Sequence, residues 1–437
     1  MPGRLVEAHR NNVLEEPESS RPDRLREPPN PDEFMLLAMQ RQSARSSLLN
    51  WKTTAFAAFL MAGAFKADDR LAAIPFDLTL LLAGVTLVAL ILEIPRTHWP
   101  RSTLLPITLF GAFALGIPFA PDTTYAVEKI AGLFLLTFLA TIAPFSIVRT
   151  AQQQRQFLNA LVLLGVIMAV DLLVALGNGA LGIGNRFAGF SGSPIVSSRI
   201  AGTALLVILI SHLYSRRHNP ALLFIVSAGL GTAVAASGSR GTVIALAAAI
   251  AWLVAYAWRR APAMKRNLSA VAAIGGLSVL SASLLVPQSV VDRFDLRNAD
   301  QTSIEGRLDL YDAALEGIVE NPLGVGWGGF FTTSPGLPEE IWPHNLVIEV
   351  FLEGGWIAGA FLAFVAYRVW ALARQWPESE MSLVYSSVLI YLATASLFST
   401  DINGNRLVFA IAGVVLAGAG IPARTNQTPQ DWLSRWR

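Results

Sequence analysis

The sequence has no cysteine, five histidines and few charges: Asp, Glu, Lys and Arg make up 15% of its 437 residues, against 53% hydrophobic residues. Without thiols, no disulfide and no thiolate metal site can constrain the chain. So little charge excludes an ordinary soluble domain of this length. The net charge of +2 comes mostly from arginines scattered among short connections, which excludes a nucleic-acid patch. No cleavable leader is visible, because residues 1–48 form a long polar stretch ahead of the first apolar run. That run is expected to serve as the targeting signal.

What is present is a series of apolar runs of roughly 17–25 residues, the length that crosses a bilayer as a helix. They lie near Leu49–Phe65, Ile74–Leu92, Thr103–Phe119, Ala126–Ile147, Phe157–Leu176, Val196–Tyr214, Ala221–Ala236, Thr242–Ala257, Leu268–Val286, Leu346–Ala371, Ser382–Ser399 and Leu407–Ile421. The expected fold is an all-α polytopic membrane protein with about twelve spans and one long loop containing an amphipathic helix. Residues 1–47, rich in Pro, Arg and Glu, read as a disordered tail. Spans 1–9 then occupy 48–286, the loop 287–345, spans 10–12 346–421, and a second tail 422–437.

Lys and Arg accumulate in cytoplasmic loops. Alternate connections carry Arg96 and Arg101; Arg149 and Arg155; Arg216 and Arg217; Arg259, Arg260, Lys265 and Arg266; Arg374; and Arg424, Arg435 and Arg437. These and both termini are expected inside. The other connections are poorer in cations, hold Lys66, Arg70, Arg186, Arg240 and Arg406, and include the long loop. They are expected outside.

In that loop, Thr302 and Glu305 have the spacing of a capping box, and Ile304, Leu308, Tyr311, Leu315, Ile318 and Val319 follow at helical intervals. A helix is predicted from near Ser303 to the stop at Asn321-Pro322. Gly324, Gly326, Gly328 and Gly329 make a flexible turn around Trp327. Their G-x-G-x-x-G spacing is not a dinucleotide fingerprint, since no strand precedes it and no helix starts after it. From 287 to 344 the loop holds ten carboxylates against Arg293, Arg297 and Arg307. Its net field therefore repels anions, so local arginine geometry has to prevail with the help of salt screening, or else the acidic face of the helix points to solvent or to a cation-bridged polysaccharide surface.

Arg186 sits among glycines and serines, and Arg240 in the short segment SGSRG at the start of a helix. A cation, small residues and free helix N–H groups suit a phosphate. The competing reading of each arginine is an interfacial anchor. Arg307 opens the loop helix on the same side. Asp171 lies inside the fifth run, where a charge is costly, and Arg199 is its candidate partner. The acids Asp68, Asp69 and Asp122 read as solvated. Of the histidines, His344 alone falls on the outer side, just before a helix whose N-terminus favours the neutral imidazole.

These features together resemble the O-antigen ligase and polymerase superfamily of bacterial envelope glycosyltransferases. The resemblance rests on Ser239-Arg240-Gly241, on Arg307 followed by Asn321-Pro322-Leu323-Gly324-Val325-Gly326, and on His344-Asn345 leading into Glu353-Gly354-Gly355. It implies a GT-C-type enzyme of the bacterial inner membrane that takes a glycan from undecaprenyl diphosphate on the periplasmic side and transfers it to an acceptor such as lipid A-core, without metal or other cofactor. Carried over, Arg186, Arg240 and Arg307 become diphosphate ligands and His344 the general base, with Asn345, Glu353, Arg199 and Asp171 in support. The implied partners are the lipid-linked donor, the glycan acceptor and membrane lipids, with no nucleic acid. The loop with its His-Asn ending resembles the ligase branch more than the polymerase branch. A polysaccharide or lipid transporter is the rival from another class, favoured by Asp171 but not by any internal repeat. A scaffold for envelope assembly would leave the outer arginines unexplained.

Overall fold

A computed structural model of the chain describes residues 49–64, 76–179, 193–215, 220–260, 268–294, 301–376, 379–398 and 400–418. Both predicted tails, Asp68, Asp69 and Arg186 lie outside these residues. The described chain is helical, with no strand among the described residues. In chain order the helices are α1 (Trp51–Ala62), α2 (Leu78–Glu93), α3 (Leu104–Ala114), α4 (Thr124–Ile147), α5 (Ala151–Gly177), α6 (Pro194–Ser215), α7 (Pro220–Ala236), α8 (Arg240–Arg260), α9 (Leu268–Leu285), α10 (Gln301–Glu320), α11 (Leu346–Gln375), α12 (Glu380–Ser396) and α13 (Arg406–Gly418). Every one of the apolar runs carries a helix. Among the described residues seven helical stretches are long and apolar enough to cross a bilayer, namely α2 extended to Leu78–Arg96, α3 extended to Arg101–Phe119, α4, α5, α6, α8 and α11, while α7 and α13 are shorter apolar helices.

The starts are set by polar caps. Asp77 accepts from the amides of Thr79 at 2.7 Å and Leu80 at 3.2 Å, and Thr150 with Gln153 forms a capping box at the head of α5. Asn345 heads α11, accepting from Val347 at 3.0 Å and Ile348 at 3.2 Å. In an apolar solvent such caps matter more than in water, because no bulk water reaches the first-turn amides.

Small residues set the closest approaches. Gly165 of α5 lies against Ala204 of α6, and Gly202 of α6 faces the hydroxyl of Tyr391 in α12, which also donates to the carbonyls of Ser198 and Arg199 at 3.3 and 3.2 Å. Outward residues of α2 such as Leu80, Leu87, Val88, Ile91 and Leu92 are exposed, as lipid-facing positions are.

The loop helix α10 spans the predicted segment, but the face it buries differs from the spacing argument. Leu310, Ala313, Ala314 and Ile318 pack with Phe330 and Leu352, whereas Leu308, Leu315 and Val319 are exposed. A two-sided apolar helix satisfies the same periodic pattern with one stripe on the protein and another left exposed. Its acids Asp309, Asp312, Glu316 and Glu320 are exposed, while Arg307 is half-buried. The repulsive background charge thus faces solvent, away from the arginine.

Candidate functional site

Three segments meet where α10 returns to the bundle. Tyr311, one turn beyond Arg307, donates to the carbonyl of Leu397 at 3.5 Å, a long contact at the end of α12. The next residue, Phe398, packs on Gly241, so that a Cβ there would sit 2.8 Å from the Phe398 Cβ. Arg240 is the half-buried first residue of that same helix, α8. The turn before it is held by the left-handed Gly238 (φ 61°) and by a chain of hydroxyls, Ser239 to Thr242 at 2.9 Å and Thr242 to Ser198 of α6 at 2.8 Å. Leu397 and Phe398 therefore bring the helices of Arg307 and Arg240 to one end of the bundle.

His344 stands at the same end, at the head of α11. Its backbone is left-handed (φ 54°), which costs a non-glycine residue of order 1–3 kcal/mol and persists only where surroundings enforce it. The Trp342 ring meets the imidazole edge-on at 5.1 Å. Burial, and after it the positive charge of Arg307, push the His344 pKa down to about 4. The imidazole is therefore neutral at physiological pH, and the coupling puts His344 and Arg307 within electrostatic reach of each other.

The residue assigned a supporting role at position 353 does something the sequence reading did not foresee. Lys129 of α4 lies 2.7 Å from the carboxylate of Glu349 and 2.7 Å from that of Glu353, all three side chains being at most 1% exposed. Glu353 also accepts from the amide of Gly328 at 2.9 Å. The triad ties the head of α11, the glycine turn and α4 together. A signal existed in the sequence: Lys129 interrupts the fourth run, and Glu349 and Glu353 fall one helical turn apart at the start of the tenth.

The glycine turn is closely packed against the bundle. Trp327 is fully buried, donates to the carbonyl of Phe113 at 2.8 Å and stacks edge-on against that ring at 5.3 Å. Gly324, Gly326 and Gly328 all have φ above 80°, and a Cβ on Gly326 would overlap the backbone of Phe119 and Ala120. Gly355 (φ 79°, ψ 178°) then bends α11, and Val325 and Gly326 donate to the carbonyls of Leu352 and Glu353 at 2.9 and 3.1 Å. Backbone of the turn and of the bend pack so closely that no side chain fits between them.

Arg199 is buried at the head of α6 and donates to Thr400 at 3.1 Å and Asn405 at 3.0 Å, on the connection before α13. Asp171 is buried in α5. Asp122 is exposed on the turn before α4. Of the sequence-derived set, Arg240, Arg307, His344 and Asn345 thus gather at one end with Glu353 beneath them.

Residues 222–363 match the Wzy_C family model, O-Antigen ligase. The match runs from α7 into α11, includes Arg240, Arg307, His344, Glu349 and Glu353, and supports the O-antigen ligase superfamily for this chain. No curated protein matches the sequence.

Proposed function

Because the O-antigen ligase match covers the segment that carries these residues, we propose that the protein is a membrane glycosyltransferase moving a glycan from undecaprenyl diphosphate to a periplasmic acceptor, lipid A-core for a ligase. The observation that carries the reading is the pairing of a neutral, half-buried His344 with Arg307 at the head of α11. His344 takes the proton of an acceptor hydroxyl. The freed oxygen pair attacks the anomeric carbon, the bond from that carbon to the phosphate oxygen breaks with its electrons, and undecaprenyl diphosphate leaves toward Arg240 and Arg307. Inversion at the anomeric carbon follows from the single displacement. The two guanidinium groups replace a metal in stabilising the leaving group. His344 later releases its proton to water.

A pKa near 4 makes a weak base on its own. The donor offsets the smaller of the two causes, while burial, the larger, remains. Its diphosphate offsets the charge of Arg307, which removes one of the two causes of the depression and raises the basicity of His344 once donor is bound. His344 is thereby more basic with donor bound than without it.

A polymerase of the same family, extending one lipid-linked glycan with another, uses the same residues. Loss of lipid-linked donor on incubation with purified protein and acceptor tests the enzyme reading, since a transporter or a scaffold leaves the donor intact. The product then separates the two enzymes: glycan on lipid A-core marks a ligase, and a longer chain on the carrier marks a polymerase.

A further inference from the structure

The end of the bundle opposite His344 holds a cavity of about 300 Å³ between the last turns of α8 and α11 and the first turns of α12. Trp252, Trp370 and Trp376 wall it, and Arg259, Arg374 and Ser382 contribute its polar groups. No carboxylate is among its described lining residues. Interfacial tryptophans and arginines are common in membrane proteins as anchors, and alone they imply no ligand. Two further features go beyond anchoring. The indole nitrogens of Trp252 and Trp376 are buried without a hydrogen-bond partner, which is costly for a buried donor. A second cavity of about 380 Å³, lined almost wholly by apolar side chains, begins at the same Trp370 and runs between α11 and α12 toward Leu397.

We infer that this is a binding site for an anionic phospholipid, with the phosphate held by Arg259 and Arg374 and one acyl chain in the apolar cavity. The polar pocket offers donors and cations and asks for acceptors and negative charge, which a phosphodiester supplies. Indole N–H groups left without acceptors gain partners from the phosphate or glycerol ester oxygens. Trp370 lines both cavities, so an amphiphile with its head in the polar one and a chain along the apolar one fits the pair. A free phosphate would leave the apolar cavity unused, and an uncharged lipid would gain nothing from the exposed guanidinium groups of Arg259 and Arg374. The polar pocket lies away from the candidate transfer chemistry, whereas the apolar cavity reaches Leu346, Val347 and Leu397 at that end.

The test uses the full chain, purified in detergent, stripped of lipid and titrated with phosphatidylglycerol, with bound lipid counted by native mass spectrometry. Each cation near a membrane surface contributes about 1 kcal/mol to anionic-lipid binding, so Arg259→Gln with Arg374→Gln should weaken binding at least roughly tenfold. Trp252→Phe with Trp376→Phe keeps an aromatic ring at each position and removes the N–H groups with the pyrrole part of each indole. This variant should fold even where the arginine variant does not, and should weaken binding several-fold. Binding equal to wild type in either double variant overturns the site. So does diacylglycerol binding as tightly as phosphatidylglycerol, or competition by millimolar inorganic phosphate that leaves no lipid bound.

Discussion

Lys129 and Glu353 form a 2.7 Å ion pair between α4 and α11 with neither side chain reaching solvent. With Glu349 in the same contact, the cation holds two carboxylates of α11 one helical turn apart. The helix that presents His344 is therefore fixed by charge at its first two turns. Buried ion pairs often add little net stability over a well-packed apolar alternative, and their value lies in specifying one arrangement.

Removing the cation alone should be severe. Lys129→Met leaves two carboxylates buried without a counter-charge and is expected to cost about 3–5 kcal/mol. Lys129→Met combined with Glu349→Leu and Glu353→Gln should recover most of that loss, because no uncompensated charge remains. Thermal unfolding in detergent compares the two. Equal loss in both would show that shape and not charge dominates at this position.

The role of His344 separates from that of the arginines in kinetics. His344→Ala should lower turnover by about 10²–10⁴-fold while donor affinity stays near wild type, since a proton acceptor acts mainly in the transition state. Arg240→Lys and Arg307→Lys should weaken donor binding as well as turnover, because a lysine cannot reproduce bidentate contacts to a diphosphate. Normal turnover in all three variants would remove the catalytic assignment.

The pH profile tests the coupling of His344 to Arg307. Only the neutral imidazole accepts a proton, so activity is lost as pH falls through the His344 pKa. The acid limb of kcat/KM, which reports the free protein, should lie near pH 4. The limb of kcat should lie higher, because bound diphosphate offsets Arg307. In Arg307→Gln the kcat/KM limb should move upward toward the ordinary histidine range. An unmoved limb would show that burial alone sets the basicity.

Two glycines with nearly the same backbone geometry should respond differently to substitution. Gly326 (φ 81°) and Gly336 (φ 87°) both lie in the left-handed region, but a Cβ at 326 overlaps the backbone of Phe119 and Ala120 whereas one at 336 meets nothing within 4 Å. Gly336→Ala should cost only the backbone strain, about 1–3 kcal/mol. Gly326→Ala should cost more and release Trp327 from its bond to Phe113, read as a change in tryptophan emission. Similar losses would mean that the 324–329 turn is free to move.

The topology assigned from arginine counts makes its own prediction. Reporter fusions after Arg266 and within Thr332–Gly336 should give opposite signals, with the second on the periplasmic side. Identical signals would separate the arginines from the side on which the donor glycan is presented.

The helices were legible in the sequence because a bilayer leaves a chain few choices: backbone groups must be satisfied within each segment, so apolar length alone marks the segments. The end of α10 at Asn321-Pro322 was legible for a similarly local reason, the missing N–H of proline. Arg240, Arg307 and His344 could be singled out because charge and imidazole are rare in this composition. The sequence pattern could not choose which apolar stripe of α10 meets protein, since Leu308 and Leu310 look alike until a partner surface exists. Nor could it show that Lys129 lies against Glu349 and Glu353, more than two hundred residues away along the chain. Spacing within one segment is fixed by helical geometry, but contact between distant segments depends on how the helices pack, and that was decided by the tertiary structure through the bend at Gly355 and the buried glycine turn around Trp327.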